Sequence, residues 1–163
     1  MTPHAGVRAS TLVLVGVLTT LLGWLALRWW LAGGRLVEEP SWIGAVVMVF
    51  LAGGLLAAGW QVKKVRDGVD RHSVSPLRAA RTLVLGQAGA LTGALLVGWY
   101  VANVLVLLPD ADVESQRARI WPFLLHAAVA VLLAAAGMVV QWMCRVRRRD
   151  DEDDDDDRAG LPA

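Results

Sequence analysis

The sequence predicts an all-α fold: a polytopic membrane protein whose four transmembrane helices form a bundle. The first observation is the composition, because 56% of the 163 residues are hydrophobic, against roughly 45–50% in a typical soluble domain. The second is the presence of four long uncharged stretches, each long enough to cross a hydrocarbon core of about 30 Å as a helix. The third is physical: in that core a helix satisfies its own backbone hydrogen bonds without water.

The first two helices are predicted at about residues 10–32 and 41–62. The uncharged start of the first helix follows Arg8, a pattern that a cleaved signal peptide also shows. Its apolar run exceeds the usual ~7–15 residues of a signal peptide, and bulky Trp29 and Trp30 follow where small residues would be needed for cleavage. We therefore expect the first helix to stay uncleaved. The second prediction depends on a twenty-residue stretch, residues 41–60, that contains no charge.

The third and fourth helices are predicted at about residues 76–108 and 120–144. Ser75 stands before Pro76, and a serine N-cap followed by a first-turn proline is a favoured helix start. The four helices make up a transmembrane domain of residues 1–149.

The remaining residues, 150–163, form a separate acidic segment. They begin with eight consecutive acids, which repel one another and cannot form a core, so we expect a disordered cytoplasmic tail. A solvating role is favoured for this tail. The alternatives are folding back onto the basic loop between the second and third helices, and docking on a basic partner.

Basic residues are concentrated at one end of the predicted helices. Twelve of the 16 Lys and Arg residues flank that end, and cytoplasmic flanks accumulate such residues. We therefore expect a multi-pass protein of the cytoplasmic (inner) membrane with both termini in the cytoplasm. The residues expected to face the bilayer's anionic lipid headgroups are Lys63, Lys64, Arg66, Arg78, Arg81, Arg145, Arg147, Arg148 and Arg149. Nucleic acid is not an expected partner, because the basic loop lacks stacking aromatic residues.

Small residues along the third helix predict close helix packing. Lipid provides no hydrophobic drive between helices, so residues that let two backbones approach favour association. The packing candidates, which include a GxxxG pattern, are Gly86, Gly89, Gly93, Ala94 and Gly98. Packing inside one bundle is the favoured interpretation, and a homodimer interface is the alternative.

Two polar residues in the spans form a candidate pair. Asn103 lies near the end of the third helix and His126 near the start of the fourth, so antiparallel packing places them at a similar depth. A polar group in lipid is costly unless it is paired, and we expect a hydrogen bond between these two side chains. Helix–helix adhesion is favoured over a proton-relay or metal-binding role.

The sequence favours no enzymatic chemistry and yields no catalytic, cofactor-binding or metal-binding residues. No Asp or Glu lies within a predicted span, although ion-coupled carriers usually need one. The single Cys144 cannot run dithiol chemistry, and one intramembrane His cannot supply both axial ligands of a haem. The GxSxG, HExxH and P-loop motifs are absent. We expect a protein that is not an enzyme and has no cofactor.

One segment resembles a known family. The stretch PLRAARTLVL at residues 76–85, GWY at residues 98–100 and an acidic C-terminal tail resemble an actinobacterial family of four-helix integral membrane proteins of unknown function. Ser75, Gln87 and the three arginines before the tail depart from the family's pattern. The resemblance implies a membrane location and a four-span layout, and no catalytic or binding residue carries over.

The sequence-based hypothesis is a non-enzymatic accessory or scaffold protein in a membrane complex. The small-residue face of the third helix would contact a helix of a second copy or of another membrane protein. The alternative is a small carrier or channel subunit that acts as an oligomer. In that case Gln87, Asn103 and His126 would line a shared water-filled path.

Overall fold

The structure is a computed structural model that describes residues 8–34, 38–64, 76–110, 112 and 114–159, with the backbone alone for 61–64, 76–80, 110, 115–116 and 143–159. Within these residues the fold is all-helical. The helices are α1 (Ala9–Ala32), α2 (Trp42–Lys64), α3 (Pro76–Leu107) and α4 (Glu114–Ala159), and a short 3₁₀ helix (Leu108–Asp110) follows α3.

All four helices are long and apolar enough to cross a membrane, and they pack together, so the predicted fold class is confirmed. The candidate spans are Ala9–Ala32, Trp42–Trp60, Arg81–Leu107 and Arg117–Trp142. The predicted bounds of α1, α2 and α3 agree with the structure to within two residues. α4 begins at Glu114, earlier than predicted, because a helix need not begin at the lipid boundary and Gln, Arg and Ala are good helix formers.

α4 also continues beyond its span. Its helical backbone extends through Ala159 and so includes the acidic run, whereas the sequence predicts disorder from residue 150. Extending an existing helix adds one hydrogen bond per residue and needs no new nucleus, which is the physical reason for the difference. Residues 160–163 lie outside the described residues.

α3 is the central helix of the bundle. It runs antiparallel to α4, since Gly86 faces Gly137 and Tyr100 lies beside His126. α2 runs parallel to α4 and also contacts α3. Among the described helices α1 contacts α3 alone, with which it is parallel. α1 therefore stands at the edge of the bundle and leaves a gap between itself and α4.

The two ends of the bundle differ in charge. We call the end at which α1 begins the basic end; the exposed side chains of Arg8 and Arg81 lie there. α4 leaves its span at the same end. We call the opposite end, where α2 and α4 begin, the loop end. Exposed tryptophans lie near both ends, as amphipathic rings do at membrane interfaces: Trp29, Trp42, Trp60, Trp121 and Trp142.

The interior is built from small and branched apolar side chains. Its buried residues include two clusters: one joins α2 and α4 (Ala52, Leu55, Leu133, Ala136, Val140), and the other joins α1 and α3 (Leu12, Ala90, Ala94). Large apolar residues cover the outward faces of all four helices. A surface of this kind is stable when lipid covers it.

Candidate functional site

The small residues of α3 contact α4 of the same chain. A Cβ atom added at Gly86 would lie 3.0 Å from Cγ1 of Val140, and one added at Gly93 would lie 2.5 Å from the backbone nitrogen of Ala134. Real Cβ atoms do not approach other atoms as closely as 2.5 Å. The absence of a side chain at Gly93 is thus what allows the two backbones to meet.

The other packing candidates contact α1 and α2. A Cβ at Gly98 would lie 2.5 Å from the carbonyl oxygen of Gly16 in α1, and one at Gly89 would lie 2.5 Å from Cδ1 of Leu55 in α2. Ala94 is buried against α1. The candidates therefore serve packing inside one bundle, the favoured interpretation. In the structure the faces of the four glycines are in contact with helices of the same chain.

Asn103 and His126 are both buried, with 2% and 1% of their surfaces exposed. The expected hydrogen bond between them is replaced by bonds to backbone carbonyls. The Asn103 side-chain amide donates to the Trp99 oxygen at 2.8 Å. The physical reason is proximity: the carbonyl one turn earlier on the same helix is always within reach of a short polar side chain.

His126 connects α4 to the start of α2. Its Nδ1 lies 2.7 Å from the Pro122 oxygen, and its Nε2 lies 3.2 Å from the Ser41 oxygen. The ring also lies beside Tyr100, with 5.1 Å between the ring centroids. Both contacts are to carbonyl oxygens and a neutral imidazole has one N–H group, so it donates to one of the two oxygens at a time.

Three other polar side chains of the spans differ in whether they have a hydrogen-bond partner. Thr19 and Thr20 donate their hydroxyl groups to the Val15 and Gly16 carbonyls at 2.8 Å. Gln141 is only 8% exposed, and its Nε2 has no hydrogen-bond partner among the described residues. A buried donor without a partner costs about 1–3 kcal/mol, so Gln141 is the polar group of the bundle interior that needs an explanation.

At the loop end, an ion pair joins α4 to the segment before α2. The Arg119 Nε donates to a carboxylate oxygen of Glu39 at 3.0 Å, and both side chains are partly exposed. At the basic end, the side chain of Arg81 is exposed. Of the other residues expected to face lipid, Arg66 lies outside the described residues. For the rest of these lipid-facing candidates the structure describes the backbone and not the side chain: Lys63, Lys64, Arg78, Arg145, Arg147, Arg148 and Arg149.

Two features escaped the sequence reasoning. Gly16 and Gly23 provide the α1 side of the contact with α3; their spacing of seven residues, two helical turns, is the signal that could have found them. An apolar groove lies between α1 and α4 with α3 as its floor, and it follows from the gap between α1 and α4. In the described part of the chain, no three His, Cys, Asp or Glu residues lie close enough to hold a metal ion.

Comparison with known proteins gives one match to a family. A family model described as "Protein of unknown function (DUF3180)" matches residues 12–148, a range that includes nearly all of the four spans. No curated protein and no solved structure matches the chain. The family description assigns no activity, so inferences about function depend on the geometry of the bundle.

Proposed function

The chain belongs to the DUF3180 family of proteins of unknown function, and on that premise we propose that it is a non-enzymatic accessory or scaffold subunit of a membrane complex. In this proposal the chain lies in the cytoplasmic membrane with both termini in the cytoplasm. Its basic end contacts anionic lipid headgroups, and one outward helix face contacts a helix of another membrane protein.

The observation that carries the proposal is an open glycine pair on α2. Among the described residues, no atom outside α2 lies within 4 Å of a Cβ added at Gly53 or Gly54, and both glycines are exposed. Every packing glycine of α3 is in contact with a neighbouring helix. Glycine lets a second helix approach closely in lipid, so the open pair is available to a partner where the α3 glycines are not.

Neighbouring residues complete a surface that suits an apolar helix. At 100° per residue, Phe50, Gly54 and Ala57 lie on the side of α2 opposite its buried residues, and all three are exposed. The result is a large aromatic side chain beside small residues. A partner helix with small residues of its own would pack closely there.

The alternative, a carrier or channel subunit, has less support. Such a subunit would need polar side chains facing a shared water-filled path. Asn103 and His126 are sealed from solvent and bonded to backbone carbonyls, while Gln87 is half-buried. The absence of an enzymatic role is proposed on the sequence alone, from the single Cys144 and the lack of a carboxylate in the spans.

The test is affinity purification of the full chain from native membranes, comparing the wild type with Gly54→Leu. Among the described residues no atom of another helix lies within 4 Å of a Cβ at position 54, and Gly54 is exposed, so the bundle should fold with leucine there and the co-purifying membrane protein should be lost. Val49→Leu is the matched control, because Val49 is exposed on α2 and lies about 140° around the helix from Gly54. Equal recovery of the partner with both variants would contradict docking at this face.

A chain truncated after Arg149 distinguishes docking at the α2 face from docking at the acidic segment. We expect the same partner to be recovered with the truncated chain, because the favoured role of that segment is solvation. Loss of the partner on truncation alone would move the docking site to the acidic segment. Co-purification of a second, differently tagged copy would identify the partner as this chain itself.

A further inference from the structure

The α2 face, with Phe50, Gly54 and Ala57, and the groove between α1 and α4 lie on opposite sides of the bundle. Ala135 belongs to the α4 wall of the groove, whereas Leu133 belongs to the buried cluster that joins α4 to α2. Two residue steps at 100° put these two residues about 160° apart around α4. One chain therefore cannot bring its own α2 face to its own groove, and both surfaces are open to a neighbour.

The groove has room for the most exposed large apolar side chain of the described residues. That side chain is Phe50 on the α2 face, which is 83% exposed. The groove has a volume of about 390 Å³ and small or aliphatic lining residues such as Ala94 and Ala135, apart from Thr20, whose hydroxyl donates to its own helix. An apolar cavity of about 150 Å³ holds a benzene molecule, so the phenyl ring of Phe50 fits by volume and by polarity.

Phe50 and the groove also lie at the same depth in the membrane. α2 runs parallel to α4, and Ser41 contacts His126 at an offset of 85 residues; the buried cluster that joins the two helices keeps this register. The same offset puts Phe50 level with Ala135 in the groove wall. Copies of one chain share their spans and their orientation, so each residue has the same depth in every copy. Phe50 of one copy therefore meets the groove of the next without a vertical shift.

Opposite charges match at the loop end in the same arrangement. Glu39 pairs with Arg119 of its own α4, and a residue that precedes a proline, as Glu39 does, is extended. Successive side chains of an extended segment point in opposite directions, so Glu38 points away from its own α4, close to the level of Arg117. Arg117 lies eighteen residues, five turns, before Ala135 and thus on the groove side of α4. Glu38 and Arg117 are both exposed, and neither has an ion-pair partner among the described residues.

We propose that the α2 face docks into the groove of a second copy of this chain, an inference that rests on the proposed function and names its partner. Phe50 of one copy enters the groove of the next, and Glu38 of the first copy pairs with Arg117 of the second. Because the two surfaces differ and lie on opposite sides of the bundle, the contact repeats from copy to copy. Such a heterologous contact forms a closed ring or an open row in the membrane and not a two-fold dimer.

The test is oxidative cross-linking, in native membranes, of the full chain with its single Cys144 replaced by serine. Val46→Cys and Val131→Cys are introduced together, because Val46 is exposed one turn from Phe50 and Val131 lines the groove at the matching level. We expect a ladder of cross-linked dimers, trimers and larger species, and no product with either cysteine alone. In the depth control, Leu124→Cys replaces Val131→Cys. Leu124 is exposed on nearly the same side of α4 but about 10 Å away along the helix, too far for a disulfide, so the ladder should be lost.

Further variants in the same double-cysteine chain test the chemistry of the contact. Phe50→Ala should abolish the ladder, whereas Val49→Ala, which shortens another exposed side chain 100° around α2, should leave it unchanged. Glu38→Arg and Arg117→Glu should each reduce the cross-linked fraction by about two- to fivefold, as expected for a surface ion pair. The two charge reversals together should restore it.

Two results would overturn the inference. Absence of a ladder with the cysteine pair would leave the groove to lipid, and a single cysteine that cross-links as strongly as the pair would indicate a two-fold contact. The proposed function fails separately, when Gly54→Leu retains the membrane protein that co-purifies with the wild type. Loss of a different protein with Gly54→Leu, in a chain that gives no ladder, would overturn only the choice of a second copy as the partner.

Discussion

Replacing Gly93 by alanine should loosen the contact between α3 and α4. The added Cβ would lie 2.5 Å from the backbone nitrogen of Ala134, 2.7 Å from its Cα and 2.8 Å from its Cβ. An ordinary contact begins at 3.4 Å. Because Ala134 presents backbone atoms rather than a flexible side chain, no rotamer change relieves the overlap. The two helices must separate locally by about 0.9 Å.

The expected cost follows from that separation. A gap of about 0.5–1 Å forfeits roughly a quarter to a half of the dispersion energy of each contact across it, and overpacking of a close-packed interior typically costs about 1–3 kcal/mol. Alanine in place of glycine in a helix returns about 0.5–1 kcal/mol through the unfolded state. We therefore expect Gly93→Ala to lower the free energy of unfolding by about 1 kcal/mol, within a range of about 0–2.5 kcal/mol, and Gly93→Leu to prevent normal packing.

The assay is reversible unfolding in mixed micelles with increasing mole fraction of sodium dodecyl sulfate. Helicity by circular dichroism and the fluorescence of the eight tryptophans report the transition. Gly53→Ala is the matched control, because the same chemical change there meets open space. That variant should unfold at the same or a slightly higher mole fraction than the wild type.

One result would refute the packing argument. If Gly93→Ala is as stable as Gly53→Ala, the α3–α4 backbones do not meet at Gly93 as described. If both variants are destabilised equally, the effect belongs to helix glycines in general and not to this contact.

Three further predictions use the same protein. His126→Phe retains a ring beside Tyr100 and loses the hydrogen bond that a neutral imidazole donates to a backbone carbonyl, so it should cost about 1–3 kcal/mol in the same titration; an unchanged midpoint would show that this bond does not stabilise the fold. Glu39→Gln weakens a partly exposed ion pair and should cost less than about 1 kcal/mol, with a difference that salt reduces; a loss above 2 kcal/mol would contradict this. Alkaline phosphatase, which needs an oxidising compartment for its disulfides, should be inactive when fused to either end of the chain and active when inserted between α1 and α2; the reverse pattern would overturn the proposed orientation.

The membrane fold could be predicted from the sequence because its determinants are local. A span needs about 20 apolar residues, and that requirement is visible in a single stretch of chain. α1, α2 and α3 were predicted to within two residues for this reason. The ends of α4 could not be predicted as well, because outside the bilayer a helix continues or ends according to weak propensities.

The sequence predicted that α3 packs closely against other helices, but it did not predict which helices these are. GxxxG spacing indicates that another backbone comes close, and it says nothing about which helix supplies that backbone. In the structure Gly93 meets α4, Gly98 meets α1 and Gly89 meets α2. Asn103 and His126 were placed correctly in the interior. Their partners were not foreseen, since a nearby carbonyl on the same helix competes with any side chain across the interface.

The sequence by itself determined that the chain forms four spans with a basic end, because hydropathy and charge act residue by residue against a bilayer of given thickness. The tertiary structure alone decided which faces are occupied and which are open. Three properties of the described residues depend on relative helix position: the contact of α1 with no helix except α3, the open pair Gly53 and Gly54, and the unpaired amide of Gln141. These depend on close packing between residues that are distant in the chain, so no single stretch of sequence contains them.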